Sequence, residues 1–332
     1  MHPSPETSFD NLYHCLSFHP AVTQAMQPGR QVRLLIGADS ANFALAERLA
    51  HRCPSYFTCE LVQLVADPAR LAYIEAEITS CDVYLFYYDA STLTPPSPSG
   101  PAFLAPLKST MTTNWRKSVL LKDYGEHVIE AFSEPIDEIA ALNGMLMDLA
   151  AQASRLRFDD AKGGGLECAL PAGQVWTSID GRGNEDLVPG EIAMHPLSIE
   201  GTVSFSGTFL GTVPFARKYG VGENLLTLEI KAGCVVGFHS GNRELEADFR
   251  KYLDHNEGNR IVEELGIGTN TGIKRLYGRN AGFEERHPGL HLGLGGGRTG
   301  SHHLDLIFST GSLAFDDDVV FANGSFRQGD RR

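Results

Sequence analysis

The sequence predicts an open parallel α/β domain followed by a larger, β-rich domain of α+β character. From about residue 31 to 155, short apolar runs alternate with amphipathic stretches, which is the pattern of βαβ units around a parallel sheet. Beyond three consecutive glycines at 163–165, glycines and short alternating runs dominate instead. We therefore predict an α/β domain over 1–160, a β-rich domain over 161–327 and a disordered tail over 328–332.

The elements of the first domain follow from the spacing of apolar residues. Four short runs rich in Val, Leu, Ile or Tyr are predicted strands: 32–37, 60–66, 82–89 and 118–122. Three stretches repeat apolar residues at helical spacing: 41–52, 68–78 and 135–156. The Pro- and Ser-rich segment 91–103 is a predicted loop. No GxGxxG motif follows the first strand, so a dinucleotide-binding domain is not predicted.

The second domain combines many short strands with one long helix. The predicted strands are 165–171, 174–180, 190–196, 201–207, 225–233, 234–240, 291–296 and 303–309. The predicted helix covers 243–265 and ends on Glu263 and Glu264. Because the helix macrodipole disfavours carboxylates at a C-terminus, Glu264 is a candidate for compensation by a cation.

Composition argues against several classes of function. The formal net charge is −13 and no stripe of Lys and Arg is present, so nucleic acid is not an expected partner. The six cysteines form no CxxC pair, which argues against a disulfide framework or a thiolate zinc site. The N-terminus lacks a signal-peptide pattern, and no run reaches the ~20 apolar residues of a membrane span. We therefore expect a cytoplasmic protein with no membrane partner.

Three residues near the C-terminus predict a metal site. In the alternating stretch 301–308, His303 and Asp305 project from the same face of a strand, which places an imidazole beside a carboxylate. His291 lies upstream on another short strand that runs into a glycine loop, and glycines permit close approach of the two strands. His287 and His302 are expected to lie outside this site.

Four strings of the second half resemble the aminopeptidase T family of metallopeptidases in order and approximate spacing. The strings cover 181–203, 260–270, 283–297 and 301–308. The resemblance implies a homodimer and a pair of divalent ions held by two glutamates, two histidines, an aspartate and a tyrosine. Carried over position by position, five of these ligands fall on Glu191, Glu264, His291, His303 and Asp305.

The sixth ligand position of the family is changed in this sequence. The position of the tyrosine, seven residues after the first histidine, is Arg298. Arginine has no lone pair available to a metal, but it can hold a substrate carboxylate or an oxyanion. The resemblance therefore implies Glu191 and Glu264 as catalytic residues, either of which could act as general base. The change at the sixth position adds Arg298 as a residue that could hold the substrate.

A second group with the same fold leaves an alternative open. The chain also resembles the 2,5-dihydroxypyridine dioxygenases, which bind one Fe(II) through two histidines and an aspartate. The matching residues here are His291, His303 and Asp305. The two glutamates, which a single-iron site does not need, favour hydrolysis.

Three functions follow from these resemblances. The first is a hydrolase that cleaves a peptide or other amide with one or two ions of zinc, cobalt or manganese. The second is an Fe(II) dioxygenase acting on a small molecule. The third is a catalytically inactive relative with a binding role, which the change at Arg298 motivates.

Overall fold

The computed structural model describes residues 4–90, 100–183, 186–211 and 215–327. The predicted tail, 328–332, lies outside these residues, as does the larger part of the predicted loop at 91–103. The chain divides into two compact units. The first consists of Met1–Ile136 and Ile179–Pro189, and the second of Asp137–Ser178 and Gly190–Arg332.

The first unit is built around a four-stranded parallel sheet. Its helices are α1 (Pro5–Ser17), α2 (Pro20–Ala25), α3 (Phe43–His51), α4 (Pro68–Ser80), α5 (Leu104–Thr113) and α6 (Val128–Ala131). Its strands are β1 (Val32–Ala38), β2 (Phe57–Gln63), β3 (Val83–Tyr88) and β4 (Ser118–Lys122). The strand order is β2-β1-β3-β4, and each pairing is parallel.

The predicted parallel α/β organisation of this unit is confirmed. Strand β3 is buried along its whole length, as expected of a central strand covered on both faces. Helix α4 begins at Pro68, where the side chain of Asp67 accepts a hydrogen bond from the backbone N–H of Arg70. Helices α1, α2, α5 and α6 were not among the predicted elements, and β2 begins three residues before its predicted start.

The second unit is dominated by one large antiparallel sheet with helical cover. Its helices are α7 (Ile136–Gln152), α8 (Phe215–Tyr219), α9 (Arg243–His255) and α10 (Ala281–Glu284). Its strands are β5 (Arg155–Asp159), β6 (Gly165–Ala169), β7 (Thr177–Ile179), β8 (Glu191–Met194), β9 (Ile199–Gly211), β10 (Val221–Lys231), β11 (Cys234–His239), β12 (Val262–Gly268), β13 (Gly289–Leu294), β14 (Leu304–Phe308), β15 (Ser312–Phe315), β16 (Asp318–Ala322) and β17 (Ser325–Phe326).

The strand order of this sheet is β17-β16-β15-β5-β6-β9-β14-β13-β12-β8-β7. Strand β10 branches from β9, and β11 pairs with β10. One face of the central strands carries a large apolar core that includes Ile192, Leu265, Leu292 and Leu306. No helix within the described ranges has the length and apolar character needed to cross a membrane.

The predicted domain boundary near residue 160 falls inside the second unit. Strands β5 and β6 form an antiparallel hairpin in which Asp159 pairs with Gly165, so the glycines at 163–165 belong to a hairpin turn. Asp160 closes this turn by accepting hydrogen bonds from the backbone N–H groups of Lys162 and Gly164. The glycine cluster therefore marks a reversal of the chain within one sheet rather than a linker.

The predicted helix over 243–265 is wrong in its second half. Helix α9 ends at His255, and Asn256 adopts an extended backbone with φ of −156°. A short 3₁₀ turn, Glu257–Arg260, follows, and then strand β12 begins at the β-branched Val262. Glu264 therefore lies within a strand, and the argument that a helix macrodipole calls for a cation there does not apply.

Candidate metal site

The five predicted ligands lie on adjacent strands of the second unit. Glu191 begins β8, Glu264 lies on β12, His291 on β13 and Asp305 on β14, while His303 directly precedes β14. These strands are consecutive in the sheet, in the order β8-β12-β13-β14. Residues up to 114 positions apart in the chain, from Glu191 to Asp305, therefore converge on one area of one sheet.

Alternation along the strands separates the ligands from the apolar core. On β13, the leucines at 290, 292 and 294 face the core, and His291 faces the opposite side. On β14, Leu304 and Leu306 belong to the core, whereas Asp305 lies between them on the other face. The sheet thus keeps a hydrophobic surface on one face and collects the polar ligands on the other.

Glycines stand opposite the ligands and make room for them. Gly266 pairs with His291, and a Cβ at Gly266 would lie 2.0 Å from Nε2 of that histidine. Gly293 pairs with both Glu264 and Asp305, and a Cβ there would lie 2.6 Å from Cε1 of His303. Because real Cβ atoms do not approach other atoms so closely, only glycine leaves space for these side chains.

A bulge in β12 decides the direction of Glu264. Val262 pairs with Leu294 and faces the core, whereas Glu264 pairs with Gly293, so Glu263 is an extra residue in this strand. Strict alternation would put positions 262 and 264 on the same face. The bulge shifts the alternation by one residue and thereby turns Glu264 towards the other ligands.

Glu191, Glu264 and His291 form the first half of the site. One ligand atom from each of the three lies within 4.8 Å of the others, a grouping that could hold a metal ion. Nε2 of His291 is 3.0 Å from Oε1 of Glu191 and 3.5 Å from Oε1 of Glu264. Although the first contact is close, neither the Oε1 of Glu191 nor a ring nitrogen of His291 has a hydrogen-bond partner of suitable geometry within the described part of the chain.

His303 and Asp305 form the second half. Nε2 of His303 is 2.7 Å from Oδ1 of Asp305 and 4.0 Å from Oε2 of Glu264. Glu264 therefore lies between the halves and directs one carboxylate oxygen towards each histidine. It is also the most accessible carboxylate, with 31% side-chain exposure against 4% for Glu191 and 3% for Asp305.

The electrostatics of the site favour ion binding. A hydrogen bond with Asp305 raises the pKa of His303 to about 9. Burial opposes the charged form of His291, but Glu191 and Glu264 raise its pKa well above the ordinary value. Each imidazole thus lies in a negative field that a proton or a metal ion can neutralise. The ring nitrogens of His291 and Oε1 of Glu191, which are buried without hydrogen-bond partners among the described residues, form with the nearby carboxylates a donor set that suits zinc, manganese, cobalt or ferrous iron.

The sequence did not point to Arg286, which is central to the site. Its side chain is 1% exposed, and Nη1 contacts Oε2 of Glu191 and lies 2.5 Å from Oε1 of Glu285. Burial would raise the pKa of Glu191, but the guanidinium of Arg286 and the nearby His291 hold it at about 2. In the sequence, Arg286 follows two acidic residues and precedes a histidine, within the matched string 283–297. Such a run of charged residues by itself resembles a solvent-exposed cluster.

No hydrogen bond or ion pair between described residues brings Arg298 to the five predicted ligands. It lies on an exposed turn, where its backbone N–H and carbonyl both hydrogen-bond to the hydroxyl of Ser301. Across the described ranges, no hydrogen bond or ion pair joins its side chain to another residue. The predicted role of Arg298 on the substrate therefore receives no support from its contacts.

The two remaining histidines of this region have other neighbours. Nδ1 of His287 lies 2.9 Å from the carbonyl oxygen of Ile273. His302 stacks on His255, with ring centroids 4.7 Å apart. Both imidazoles thus have structural contacts apart from the five ligands.

Comparison with known proteins finds solved structures of similar fold but no match from the sequence alone. No protein-family model matches the chain, and no curated protein sequence matches it. Wild-type AmpT, the aminopeptidase T of Thermus thermophilus, is similar with a TM-score of 0.53 and 15% identity, over 96% of this chain and 99% of that chain. The 2,5-dihydroxypyridine dioxygenase of Pseudomonas putida KT2440 is similar with a TM-score of 0.54 and 15% identity, over 98% of this chain and 99% of that one.

These two structures confirm the predicted resemblance at the level of fold. The chain has the α/β plus β-rich architecture that aminopeptidase T and the dioxygenase share. Both neighbours are enzymes, one a peptidase and the other an oxygenase by name, so the common fold does not distinguish the two reactions.

Proposed function

We propose that the protein is a metal-dependent hydrolase that cleaves a peptide or other amide bond. The observation that supports this most strongly is the position of Glu264, whose two oxygens face the two histidines of separate halves of the site. A carboxylate between two groups of donors is the arrangement of sites in which two ions act on one substrate. The likeness in fold extends to an aminopeptidase and to a dioxygenase alike, so the proposal depends on the site and not on the fold.

Glu264 and Glu191 have different roles in this proposal because their solvent exposure and charged partners differ. A divalent ion bound here would activate a water molecule and polarise the scissile carbonyl. Glu264 is the carboxylate that solvent and substrate can reach, so an oxygen of Glu264 that is not engaged by an ion would accept the proton of the attacking water and pass it to the leaving amine. Glu191 is held ionised by Arg286, and with a pKa of about 2 it is a poor proton acceptor but a constant negative ligand.

A second function is favoured by one specific feature. Because Arg286 pairs with Glu191, the donors that remain most available include two histidines and one aspartate. Two histidines and a carboxylate are the usual ligands of a single ferrous ion that activates O₂. An Fe(II) dioxygenase is therefore the alternative, in keeping with the second structural neighbour.

A metal-reconstitution experiment separates these functions. The apoprotein is loaded in turn with Zn²⁺, Co²⁺, Mn²⁺ and, without oxygen, Fe²⁺. Each form is then assayed for release of amine from a panel of aminoacyl amides and for O₂ consumption with 2,5-dihydroxypyridine and related phenols. We expect amide hydrolysis without O₂ uptake.

A pair of neighbouring glutamates provides the matched control. Glu264→Gln removes the proposed base and is expected to lower the hydrolytic kcat by about 10²–10⁴-fold. Glu263→Gln makes the same chemical change on the bulge, where the carboxylate lies 3.4 Å from His195 instead, and should leave kcat within about twofold. If the Fe²⁺-loaded form consumes O₂ and the other metal forms do not, the protein is a dioxygenase instead. Ion binding without either activity would indicate a binding role.

A further inference from the structure

The carboxylate of Glu191 forms an ion pair with a side chain of the protein itself, the guanidinium of Arg286. Arg286 is almost fully buried, and its guanidinium contacts Oε2 of the equally buried Glu191. The other oxygen of that carboxylate, Oε1, faces His291 and has no hydrogen-bond partner in the described ranges. One oxygen of this ligand is thus already neutralised by a fixed cation, and one remains for an ion.

The second half of the site has a different charge balance. There, Asp305 is buried beside His303, and the oxygens of Glu264 complete the group. The ion pairs that the structure gives to Asp305 and Glu264 are with histidines alone, within the described part of the chain. An ion in this half would therefore meet carboxylates that no arginine has neutralised.

Arg286 is held in place by a second acid. Nη1 lies 2.5 Å from Oε1 of Glu285, whose own pKa burial raises to about 8. An acid that is largely protonated near neutral pH fixes the position of the guanidinium by hydrogen bonding while cancelling little of its charge.

We propose that Arg286 acts as a built-in cation of the site, so that an ion binds tightly beside His303 and Asp305 and only weakly beside Glu191 and His291. This inference rests on the proposed metal site and adds the order in which its two halves bind metal ions. A guanidinium one carboxylate away from a divalent ion repels it, and it also withdraws negative charge from the shared ligand. We expect the two halves to differ in affinity by at least about 100-fold.

Equilibrium dialysis of the apoprotein against increasing Zn²⁺, with elemental analysis of the protein, tests this order. The wild type should bind one equivalent at least about 100-fold more tightly than the second. Arg286→Met removes the charge but keeps a side chain that fills the space. In this variant, the affinities of the two zinc equivalents should differ by less than about tenfold. Arg260→Met, which removes a guanidinium paired with Asp254 on the surface, is the matched control and should retain the wild-type difference.

Two further measurements make the outcome independent of whether Arg286→Met folds well. Asp305→Asn should abolish the tight equivalent and leave the weak one. Zn²⁺ should raise the melting temperature of Arg286→Met by more than that of the wild type, because the ion becomes the partner of an otherwise unpaired buried carboxylate. If Arg286→Met is insoluble, Arg286→Lys, which keeps the charge, should retain the unequal binding of the wild type.

Several results would overturn the inference. In the wild type, these results are two zinc equivalents of equal affinity or no bound zinc. In the variants, they are an unchanged difference in affinity between the two equivalents in Arg286→Met, or loss of the weak equivalent in Asp305→Asn. Absence of bound zinc would also reject the proposed metal site, whereas the other three results are separate from the test of the reaction. Equal binding with amide hydrolysis would reject the role of Arg286 alone, whereas unequal binding without hydrolysis would reject the reaction alone.

Discussion

Replacing Gly266 by alanine places a methyl group where the imidazole of His291 lies. The added Cβ would be 2.0 Å from Nε2 and 2.1 Å from Cε1 of the ring. To restore an ordinary contact of about 3.4 Å, the ring must retreat by about 1.4 Å. His291 is fully buried, so this movement has to be made against packed neighbours.

The size of the effect follows from that displacement. Metal–ligand distances tolerate changes of about 0.2 Å, so a shift of about 1.4 Å removes the nitrogen from the ion. Disturbing the support of a single ligand already weakens metal binding by about 10–100-fold. We expect Gly266→Ala to lose at least about 100-fold in Zn²⁺ affinity, or about 2.8 kcal/mol, in the half that contains His291. Overpacking should also destabilise the fold by about 1–3 kcal/mol.

Competitive Zn²⁺ titration with a chromophoric chelator measures the first effect, and thermal unfolding of the apoprotein measures the second. Gly241→Ala is the matched control, because a Cβ at Gly241 meets no atom within 4 Å. It should leave Zn²⁺ affinity unchanged and stability within about 0.5 kcal/mol. The double variant Gly266→Ala with His291→Ala removes the clash, so it should be more stable than Gly266→Ala alone while still binding zinc poorly in the half that contained His291.

The reasoning would be refuted by a Gly266→Ala protein with wild-type affinity and wild-type melting temperature. That result would mean that the ring of His291 has room to move without leaving the ion, and hence that the glycine does not serve to accommodate it. A double variant no more stable than Gly266→Ala alone would also contradict the proposed clash.

Two further predictions concern a buried carboxylate and the effect of pH. Glu284 accepts hydrogen bonds from all four backbone N–H groups of 277–280, so Glu284→Gln, which turns one acceptor into a donor, should cost about 2–4 kcal/mol in chemical denaturation. The same change at the exposed Glu257 should cost less than about 0.5 kcal/mol, and equal losses at both positions would contradict the prediction. Because Asp305 raises the pKa of His303 to about 9, the proton on that imidazole stabilises the apoprotein below pH 6.5, and this stabilisation is lost as pH rises through 9. Metal needs the neutral ring, so Zn²⁺ binding at pH 7 should release a proton that calorimetry in buffers of different ionisation enthalpy detects, and no release would disprove the role of His303 as ligand.

Local patterns in the sequence were enough to predict the architecture and to single out His291, His303 and Asp305 as a candidate metal site. The alternation of apolar runs and amphipathic stretches predicted the parallel sheet, because the periods of strands and helices depend on near neighbours in the chain. For the same reason, the spacing of His303 and Asp305 placed them on one face of a strand, and their side chains are 2.7 Å apart. Glu191 entered only through the resemblance between the four strings and a known family. Glu264 was first singled out at the end of a predicted helix that does not reach it in the structure, so its place among the ligands depends on the same resemblance.

The tertiary structure decided what depends on pairing between distant segments. Helix α9 ends at His255, before Glu264. The bulge at Glu263, which belongs to the register of β12 against β13, turns Glu264 towards the other ligands. Arg286 reaches Glu191 across 95 residues of chain, a contact that no local pattern encodes. Register and burial arise from the packing of the whole sheet, and they determine which of the many charged residues in the sequence share a site.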